Sequence, residues 1–587
     1  MIKSLLALGV LAGSSLAVPA PAQNLARSLT VSPDGSCGGS TGYTCVGSTY
    51  GSCCSQYGWC GGDSAYCGTG CQSSAGTCTS SGGATTTTSK PSATSSSKPT
   101  STSTNGTSSG LTNCLGEKDV PIKLTSDADF SALAKPYNLH LPYTPAVIVI
   151  PTTVQHISDA VTCASQNNVK VQAKGGGHSY ASFSSGGKDG SMIINLQEFQ
   201  DVTLDDKGIA KVGGGLRLGN LAQAIYDQGK RALSHGTCPG VGIGGHFTHG
   251  GYGYASRSWG LALDQIVGLD VVLANGSAVH ATETEYPDVY YALRGAADSF
   301  GIVSSFYLQT HEAPSEVVYF SYSLPGMFTD ASKTAGYFQH IQDVSLNSSV
   351  IDSKLGGMGM YMDGSSYSLS GSYFGSLDDF NAKIAPEFLR GLPTPTTATV
   401  ESLDWIKFLV KLGGADTLLT PETGYNAHDN FFAKSVTAPE ASPLTSDQLQ
   451  SYFSYMIKQG PSAPASWYSI VNLYGGPGSA INEKDVNFAA YSDRSALWVA
   501  QHYIFTGADE TLPSDASHQW LQGLNDAMTD KMPNAQFGAY LNYVDPTLSA
   551  EEAHKLYYSD SLYQRLVGIK KEVDSKNVFW NPQAISV

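Results

Sequence analysis

The fold of this chain is decided over residues 169–178, which read Val169-Lys170-Val171-Gln172-Ala173-Lys174-Gly175-Gly176-Gly177-His178. The alternation of apolar and polar residues over 169–173 predicts a strand, and the three glycines that follow it predict a loop. Upstream, residues 146–151 predict another strand and residues 153–166 a helix, because apolar side chains recur there at nearly helical spacing. A strand that ends in a glycine loop is where α/β layers present backbone N–H groups to phosphates.

A second glycine-rich stretch lies further along the chain. It reads Ser234-His235-Gly236-Thr237-Cys238-Pro239 and continues with glycines over 240–253. Because glycine has no Cβ, a pyrophosphate or a planar ring can approach the main chain at both stretches. Each stretch also carries one nucleophile, His178 in the first and Cys238 in the second. Taken alone, His178 could equally be a hydrogen-bonded loop histidine, and Cys238 a buried structural thiol.

The region 143–310 resembles the flavin-binding domain of the vanillyl-alcohol oxidase superfamily, and within it the berberine-bridge-like branch that includes fungal oligosaccharide oxidases. The matching motifs lie at residues 173–180, 213–219, 233–246, 250–253, 292–295 and 301–303. The resemblance implies FAD held by two covalent bonds, from His178 to the flavin 8α-methyl group and from Cys238 to C6. It also implies these further cofactor contacts: Lys174, Gly175, Gly176, Gly177, Ser179, Gly242, Gly244, Gly245, His246, Gly250, Gly253, Ile302, Tyr540 and Asn542.

The cysteine count agrees with a tethered cofactor. Outside an N-terminal cluster only Cys114, Cys163 and Cys238 remain. A pair between Cys114 and Cys163 would leave Cys238 free for the flavin. Two bonds to the ring should raise its redox potential and let it lie in an open cleft without dissociating, which suits a bulky oligosaccharide.

Residues 315–537 carry frequent tyrosines and strand-like alternation, for example over 319–324 and 367–373, which predicts a large antiparallel sheet. The segment 538–587 resembles the berberine-bridge-like tail that returns to the flavin domain. We therefore expect an α+β fold with a two-part FAD-binding domain of the vanillyl-alcohol oxidase type, formed by 112–314 and the tail. The sheet, backed by helices, is expected to form the substrate domain.

Oxidising an anomeric hydroxyl needs a base for its proton and a flavin for the hydride. By resemblance to the oligosaccharide oxidases, Tyr543 is the base, and Gln501 and Tyr180 contact the substrate. Tyr543 could instead be a core tyrosine of the sheet. An unperturbed tyrosine has a pKa of about 10, so it needs help at neutral pH. The family places a carboxylate where this chain has Asn472, whose amide cannot accept a proton. A second departure is the stretch 295–299, which carries side chains where relatives are rich in glycine.

The N-terminus is typical of a secreted protein. Residues 1–20 combine Lys3, an apolar run over 5–12 and small residues before a cleavage site, which predicts a signal peptide. The alternative, a membrane anchor, is disfavoured because the run is too short to span a bilayer.

The net charge of −16 and pI of about 5.2 argue against binding to nucleic acid or to anionic membranes.

Eight of the 11 cysteines lie over residues 37–78, with no histidine among them. That density favours a disulfide scaffold over a zinc site. The module, assigned to 35–79, resembles the hevein-like chitin-binding family through the run 53–61 and the pair Tyr66-Cys67. The resemblance implies the disulfides Cys37–Cys54, Cys45–Cys60, Cys53–Cys67 and Cys71–Cys78. It also implies contacts to chitin from Ser55, Tyr57, Trp59 and Tyr66, although these aromatic rings could instead pack on the disulfides.

Residues 80–111 consist almost entirely of Ser, Thr, Gly, Lys and Pro. That composition predicts a disordered, O-glycosylated linker, because it offers no apolar side chains for a core. Sequons at Asn105, Asn275 and Asn347 predict N-glycosylation.

Together these features predict a secreted, monomeric glycoprotein, targeted to chitin, that oxidises the reducing-end C1 hydroxyl of oligosaccharides. Chito-oligosaccharides are the favoured substrate. Electrons would pass to O2, giving H2O2, or to another acceptor, and no metal is expected. Two alternatives stay open. One is a berberine-bridge-like oxidase of secondary metabolites, and the other is a chitin-binding protein with an inactive flavin domain, for which Asn472 is the only support.

Overall fold

The computed structural model describes residues 30–33, 37–38, 43–55, 60–62, 67, 71–78, 105–421, 428–532 and 535–587. These residues divide into two compact units, one within 30–78 and one over 105–587. The predictions for the signal peptide over 1–20, for Tyr57, Trp59 and Tyr66, and for the linker over 80–104 lie outside the described residues.

The smaller unit is held together by disulfides. Its pairs are those that the resemblance implies: Cys37–Cys54, Cys45–Cys60, Cys53–Cys67 and Cys71–Cys78. Its described strands are Thr30–Val31, Tyr43–Thr44, Cys53–Cys54 and Cys60–Gly61. Ala75 packs among the buried cysteines, so sulfur bridges replace a core of large apolar side chains. Ser55 is buried, and its carbonyl oxygen accepts a hydrogen bond from Gln72 Nε2 at 2.8 Å.

The larger unit begins with the helix Asn105–Glu117, which corrects the predicted linker. The disordered stretch was expected to run to residue 111, but the chain is already helical from residue 105. Leu111 and Leu115 are buried, and a disulfide joins Cys114 to Cys163. These contacts order a segment whose polar composition hid the start of the helix.

Two sheets form the first half of the larger unit. One has four strands in the order Ile122–Lys123, Val147–Val149, Met192–Asn195 and Val171–Lys174, the last three parallel. The other is antiparallel, in the order Ala278–Ala281, Ile266–Val272, Ile302–Gln309, Ile209–Gly213 and Val202–Leu204. The predicted helix is Val154–Gln166, and the Thr153 side chain caps it by accepting from the His156 N–H.

The predicted antiparallel sheet forms the second half, with seven strands. Their order is Thr397–Leu403, Val317–Ser323, Tyr367–Tyr373, Leu355–Met362, Ser466–Leu473, Ala496–Thr506 and Asn430–Pro439. Three long helices pack on one face of this sheet: Ala331–Ser345, Ser446–Gln459 and Ser514–Thr529. Because strand residues alternate between faces, Val471 points into that helical core whereas Ile470 and Asn472 line a cleft on the other face.

Shorter elements complete the unit. The remaining α-helices are Phe130–Ala134, Leu218–Gly229, Ile243–Thr248, Ser256–Trp259, Pro287–Ala296, Leu377–Asp379, Ala385–Leu389, Trp405–Gly413, Ala550–Tyr557 and Asp560–Val573. Single turns of 3₁₀-helix lie at Phe183–Ser185, Ala262–Gln265, Ala297–Ser299 and Gly460–Ser462, and a π-helical turn at Phe380–Ile384. A small two-stranded sheet pairs Arg231–Ala232 with His311–Glu312.

The C-terminal tail packs on the first half. Lys570 Nζ donates hydrogen bonds to the carbonyl oxygens of Ser299, at 2.5 Å, and Phe579, at 2.9 Å. It also forms a fully buried ion pair with Asp574. Phe579 bridges to Val171 of the four-stranded sheet. Among the described helices, none is long and apolar enough to cross a bilayer.

Candidate active site

The candidate site is a cleft of about 590 Å³ within the larger unit. One wall is the loop Gly175, Gly176, Gly177, His178 and Ser179 together with Cys238, and the facing wall is the seven-stranded sheet. Side chains of the C-terminal tail, including Tyr540, Asn542 and Tyr543, also line the cleft. The two glycine-rich stretches and the substrate half therefore meet at one cavity.

The two glycine-rich stretches touch backbone to backbone. A Cβ built on Gly176 would lie 2.3 Å from the Gly242 nitrogen, and one on Gly242 would lie 2.1 Å from the Gly176 nitrogen. No side chain fits at either position. This contact brings His178 and Cys238 to the same cavity, which the spacing in sequence could not establish.

The two candidate attachment residues sit in different surroundings. The His178 ring stacks on Tyr137, with ring centroids 4.4 Å apart. Cys238 is the one described cysteine without a disulfide, since Cys114 pairs with Cys163 as predicted. Burial raises the pKa of the Cys238 thiol, and the nearby Thr237 hydroxyl, at 3.9 Å, lowers it by less.

His246 is held as a neutral ring. Burial and, to a smaller extent, neighbouring His235 together lower its pKa to about 3. Its Nε2 accepts a hydrogen bond from the Gly236 N–H at 2.9 Å, so the ring proton is on Nδ1. Asn542 Nδ2 donates to the His246 carbonyl oxygen at 3.1 Å, which links this histidine to the tail.

The Tyr540 hydroxyl oxygen is surrounded by donors. It accepts from the backbone N–H groups of Gly251, at 2.9 Å, and Tyr252, at 2.8 Å, and from Asn542 Nδ2 at 3.1 Å. Gly250 makes room for this ring, because a Cβ there would lie 2.8 Å from Tyr540 Cε2. The ring is thereby fixed edge-on against Tyr543, with centroids 4.8 Å apart.

Tyr543, the predicted base, lies between two other tyrosines. It stacks on Tyr180 at 5.8 Å, and the Tyr180 hydroxyl oxygen accepts a hydrogen bond from Gln501 Nε2 at 2.8 Å. Burial raises the pKa of Tyr543 far above its ordinary value, and Tyr540 raises it further. The structure thus brings Tyr543, Tyr180 and Gln501 together and leaves the phenol of Tyr543 protonated at neutral pH.

Asn472 lines the same cleft from the strand Ser466–Leu473. It pairs across the sheet with Gly359. A Cβ on Gly359 would lie 2.4 Å from Asn472 Oδ1 and 2.8 Å from the Tyr254 hydroxyl, so this glycine creates the space that the amide occupies. The carboxylates among the described lining residues are Asp298 and Asp429, and neither is placed on the strand of Asn472.

Four predicted cofactor contacts do not line the cleft: Lys174, Gly244, Gly250 and Ile302. Lys174 Nζ donates instead to the carbonyl oxygens of Leu133 and Lys135. Ile302 is 1 % exposed because strand alternation turns it into the core. These four residues lie outside the lining of the cleft, and their contact with the cofactor stays a prediction.

Sequence reasoning missed a half-buried ion pair at one end of the cleft. His249 Nε2 lies 3.5 Å from Asp298 Oδ1, and the Asn581 amide donates to Asp298 at 2.7 Å. Burial opposes both charges, but the pairing prevails, raising the pKa of His249 and lowering that of Asp298. The departure at 295–299 was the signal that could have found this pair.

Aromatic rings cover the sheet wall of the cleft. Tyr468 stacks on Tyr503 at 4.8 Å and on Tyr361 at 5.7 Å. Phe431 stacks on Tyr503 at 4.6 Å and meets Tyr137 edge-on at 5.8 Å. The result is a continuous row of rings that begins at His178 and runs across the sheet, and such faces pack well against the C–H faces of sugar rings.

The opposite end of the cleft fits the adenosine and phosphate parts of a dinucleotide. A Cβ built on Gly245, which lines the cleft, would meet no atom within 4 Å, so the backbone there is open to an approaching pyrophosphate. Gln583 lines this end, and its Oε1 is a buried acceptor without a partner among the described residues. A buried acceptor of this kind needs a donor from beyond the described residues, and an adenine amine has that chemistry. The residues therefore fit FAD.

Comparison with known proteins places these features in a family context. A family model described as "FAD binding domain" matches residues 145–282, and one described as "Berberine and berberine like" matches residues 539–586. The xylooligosaccharide oxidase of Thermothelomyces thermophilus is 37% identical over 481 residues, which cover 81% of this chain and 94% of that protein. The chitooligosaccharide oxidase of Gibberella zeae is 34% identical over the same shares of the two chains.

A solved structure gives the same picture. It is that of the glucooligosaccharide oxidase from Acremonium strictum, determined for the functional roles of its 6-S-cysteinyl, 8α-N1-histidyl FAD. It matches with a TM-score of 0.76 and 32% sequence identity, covering 81% of this chain and 99% of that one.

Proposed function

The chain belongs to the berberine-like family of FAD-dependent carbohydrate oxidases, and from this premise we propose that it oxidises the reducing-end C1 hydroxyl of oligosaccharides. The product is a lactone, which water hydrolyses to an aldonic acid. The observation that carries the proposal is the meeting of Tyr543, the Tyr180–Gln501 pair and the two candidate flavin ligands in one cleft.

FAD is proposed to be attached twice, through His178 and Cys238. Both residues line the cleft, and Cys238 is kept out of the disulfides. His246, neutral and protonated on Nδ1, and the two glycine loops would hold the cofactor from one side. Bound FAD supplies the acceptor for two electrons and the C1 hydrogen, and returns them to O2 as H2O2 or to another acceptor.

The proton of the sugar hydroxyl needs a separate acceptor, and Tyr543 is proposed for that role. Its phenol must first lose a proton, which its raised pKa opposes. Asn472 can orient the phenol or a sugar hydroxyl by hydrogen bonding but cannot take the proton. Gln501 and Tyr180 would fix the sugar ring, so the reaction depends on positioning and on the small fraction of deprotonated Tyr543.

The substrate class follows from the aromatic wall and from the N-terminal module. We propose that the substrates are chito-oligosaccharides and that the enzyme is secreted and monomeric. Ser55, Tyr57, Trp59 and Tyr66 of the N-terminal module would bind chitin and so hold the enzyme near it. The hevein-like resemblance supports this targeting. Because relatives include gluco- and xylo-oligosaccharide oxidases, the test also includes oligosaccharides of glucose and of xylose.

Anaerobic mixing tests the proposal directly. The holoprotein is mixed with N-acetyl chito-oligomers, cello-oligomers and xylo-oligomers, and the flavin absorbance is followed before air is admitted. We expect bleaching with at least one sugar, return of the absorbance in air, and loss of bleaching in Tyr543→Phe. If no sugar bleaches the flavin and the protein still binds chitin, the result would instead favour a chitin-binding protein with an inactive flavin domain. Asn472 is the residue that supports that alternative.

A further inference from the structure

The sheet end of the cleft combines an aromatic wall with an unpaired carboxylate. Asp429 lines the cleft immediately before the strand Asn430–Pro439. Its backbone carbonyl accepts a hydrogen bond from the Leu139 N–H at 2.9 Å, which fixes the residue. Among the described residues, no cation lies within ion-pair distance of its carboxylate and no donor bonds to it.

Asp429 adjoins the aromatic row, because it bridges to Asn138, the neighbour of Tyr137, and precedes Phe431 by two residues. Burial raises the pKa of Tyr137, and nearby Cys238 and Asp429 raise it further. Asp429 is likewise among the groups that raise the pKa of Tyr503. The carboxylate therefore lies beside the rings that begin at His178, on the side of the cleft where we place the sugar.

The described lining residues include no lysine and no arginine. The nitrogen cations that they could provide are histidines: His178 and His246 in the cofactor half, and His249 and His554 near Asp298. His428, next to Asp429, donates from Nδ1 to the Pro136 carbonyl oxygen at 2.6 Å, and burial lowers its pKa. The described lining of the sheet end thus carries a carboxylate and no lysine or arginine, while Lys135 and Lys174, which help to lower the pKa of His428, lie outside that lining.

Electron-rich ring faces beside a carboxylate form a site for an ammonium group. An ammonium over an aromatic face gains about 0.5–2 kcal/mol, depending on how far it is desolvated. A charge-assisted hydrogen bond to a carboxylate is roughly twice as strong as a neutral one. A neutral acetamide or hydroxyl at the same place would gain neither, and would leave the Asp429 charge without a partner.

We propose that Asp429 makes this cleft selective for amino-sugar oligosaccharides with a free 2-ammonium group, such as β-linked glucosamine units. This inference rests on the proposed oxidation of oligosaccharides and specifies its substrate. Oxidation at C1 is unchanged: two electrons and the C1 hydrogen leave with the flavin, the hydroxyl proton goes to Tyr543, and the amine keeps its proton. Asp429 acts on binding and not on the chemical step.

The test compares three substrates of equal length with the holoenzyme: glucosamine, N-acetylglucosamine and cello-oligomers. Initial rates are measured at a pH where the sugar amine is protonated, at low and high ionic strength. We expect kcat/KM to be about tenfold higher for the glucosamine oligomer than for the two neutral oligomers. The difference should come from a lower KM, with kcat unchanged. High salt should reduce that advantage, because screening weakens a partly exposed charge pair.

Asp429→Asn isolates the charge. It should remove the preference for the amino sugar, and the melting temperature should stay near wild type. Asp509→Asn is the matched control, because Asp509 is exposed in the loop that Asn430 contacts and does not line the cleft. It should leave the preference unchanged.

Two outcomes separate this inference from the proposed function. Oxidation of neutral oligomers with an equal or smaller kcat/KM for the glucosamine oligomer overturns the role of Asp429 and leaves the oxidase in place. An Asp429→Asn variant that loses activity equally on all three substrates also overturns it. If no sugar of any class bleaches the flavin, the proposed function itself is wrong.

Discussion

Tyr543 is a candidate base in surroundings that oppose its ionisation. Burial is the main cause of its raised pKa, and the neighbouring Tyr540 adds to it. A raised pKa lowers the fraction of phenolate at any pH below it, and that fraction grows about tenfold for each pH unit. The pH dependence of the reaction should report this directly.

We therefore expect kcat/KM to rise with pH over the range in which the protein stays folded, with a slope near one on logarithmic axes. Initial rates with a neutral oligosaccharide in a constant-ionic-strength buffer series measure it. A neutral substrate is needed because an amino sugar titrates by itself. A flat profile would show that Tyr543 is not the proton acceptor.

Asn472→Asp should supply the missing acceptor. Gly359 leaves space at this position, and Asp is nearly isosteric with Asn, so the fold should tolerate the change. Residues 472 and 543 line the same cleft. If the new carboxylate takes the phenol proton, kcat should rise roughly a hundredfold and the pH profile should shift to lower pH. Asn472→Ala is the control and should not shift the profile. An unchanged pH profile of kcat/KM in Asn472→Asp would show that the side chain at position 472 does not exchange a proton with Tyr543.

At the scale of elements, the contact between the two glycine stretches holds the cofactor half together. Gly242→Ala would place a methyl group 2.1 Å from the Gly176 nitrogen, so the backbones must separate. His178 and Cys238 would then be misplaced relative to one another. The parallel pairing of the strands Val171–Lys174 and Met192–Asn195 should remain unchanged.

We expect Gly242→Ala to fold with reduced covalent flavin, by at least tenfold. The readout is flavin fluorescence retained on the protein after denaturation, with circular dichroism as the check of folding. Gly336→Ala, at a helical position where nothing lies within 4 Å of the new Cβ, is the matched control and should keep the cofactor. Full covalent flavin in Gly242→Ala would mean that this contact does not position the attachment residues.

At the scale of the whole molecule, buried ion pairs join the two halves of the larger unit. Arg494 precedes the strand Ala496–Thr506, and Asp264 lies in the first half; their guanidinium and carboxylate form two hydrogen bonds, of 2.7 and 2.9 Å. Both side chains are about 95 % buried, at 5 % and 4 % exposure. Removing one partner leaves the other charge buried and uncompensated.

Arg494→Met should therefore lower the free energy of unfolding by about 3–5 kcal/mol. Urea denaturation of the holoprotein, followed by tryptophan fluorescence, measures the loss. Lys407→Met is the comparison, because its ion pair with Asp404 is exposed and should contribute no more than about 1 kcal/mol. Equal losses in both variants would show that the Arg494–Asp264 pair does not bind the halves together.

The sequence predicted much of this architecture because its signals are local. The strand and glycine loop at 169–178, the helix after Thr153 and the alternation over 367–373 each lie within one window of a few residues. The exception is the helix Asn105–Glu117, because the residues of its first turns are small and polar. Its order comes from Leu111, Leu115 and the Cys114–Cys163 disulfide, and such long-range contacts leave no local pattern.

By itself the sequence determined where the glycine stretches and the cysteines lie, and through its resemblance to known families it implied the cofactor class and the pairing of the cysteines. Only the tertiary structure decided which of these residues share a cleft. It turned Lys174 and Ile302 away from that cleft, joined His249 to Asp298, and set Asp429 beside the aromatic row. Such placements depend on the alternation of strands and on contacts between residues far apart in the chain, and these are fixed only when the two halves pack.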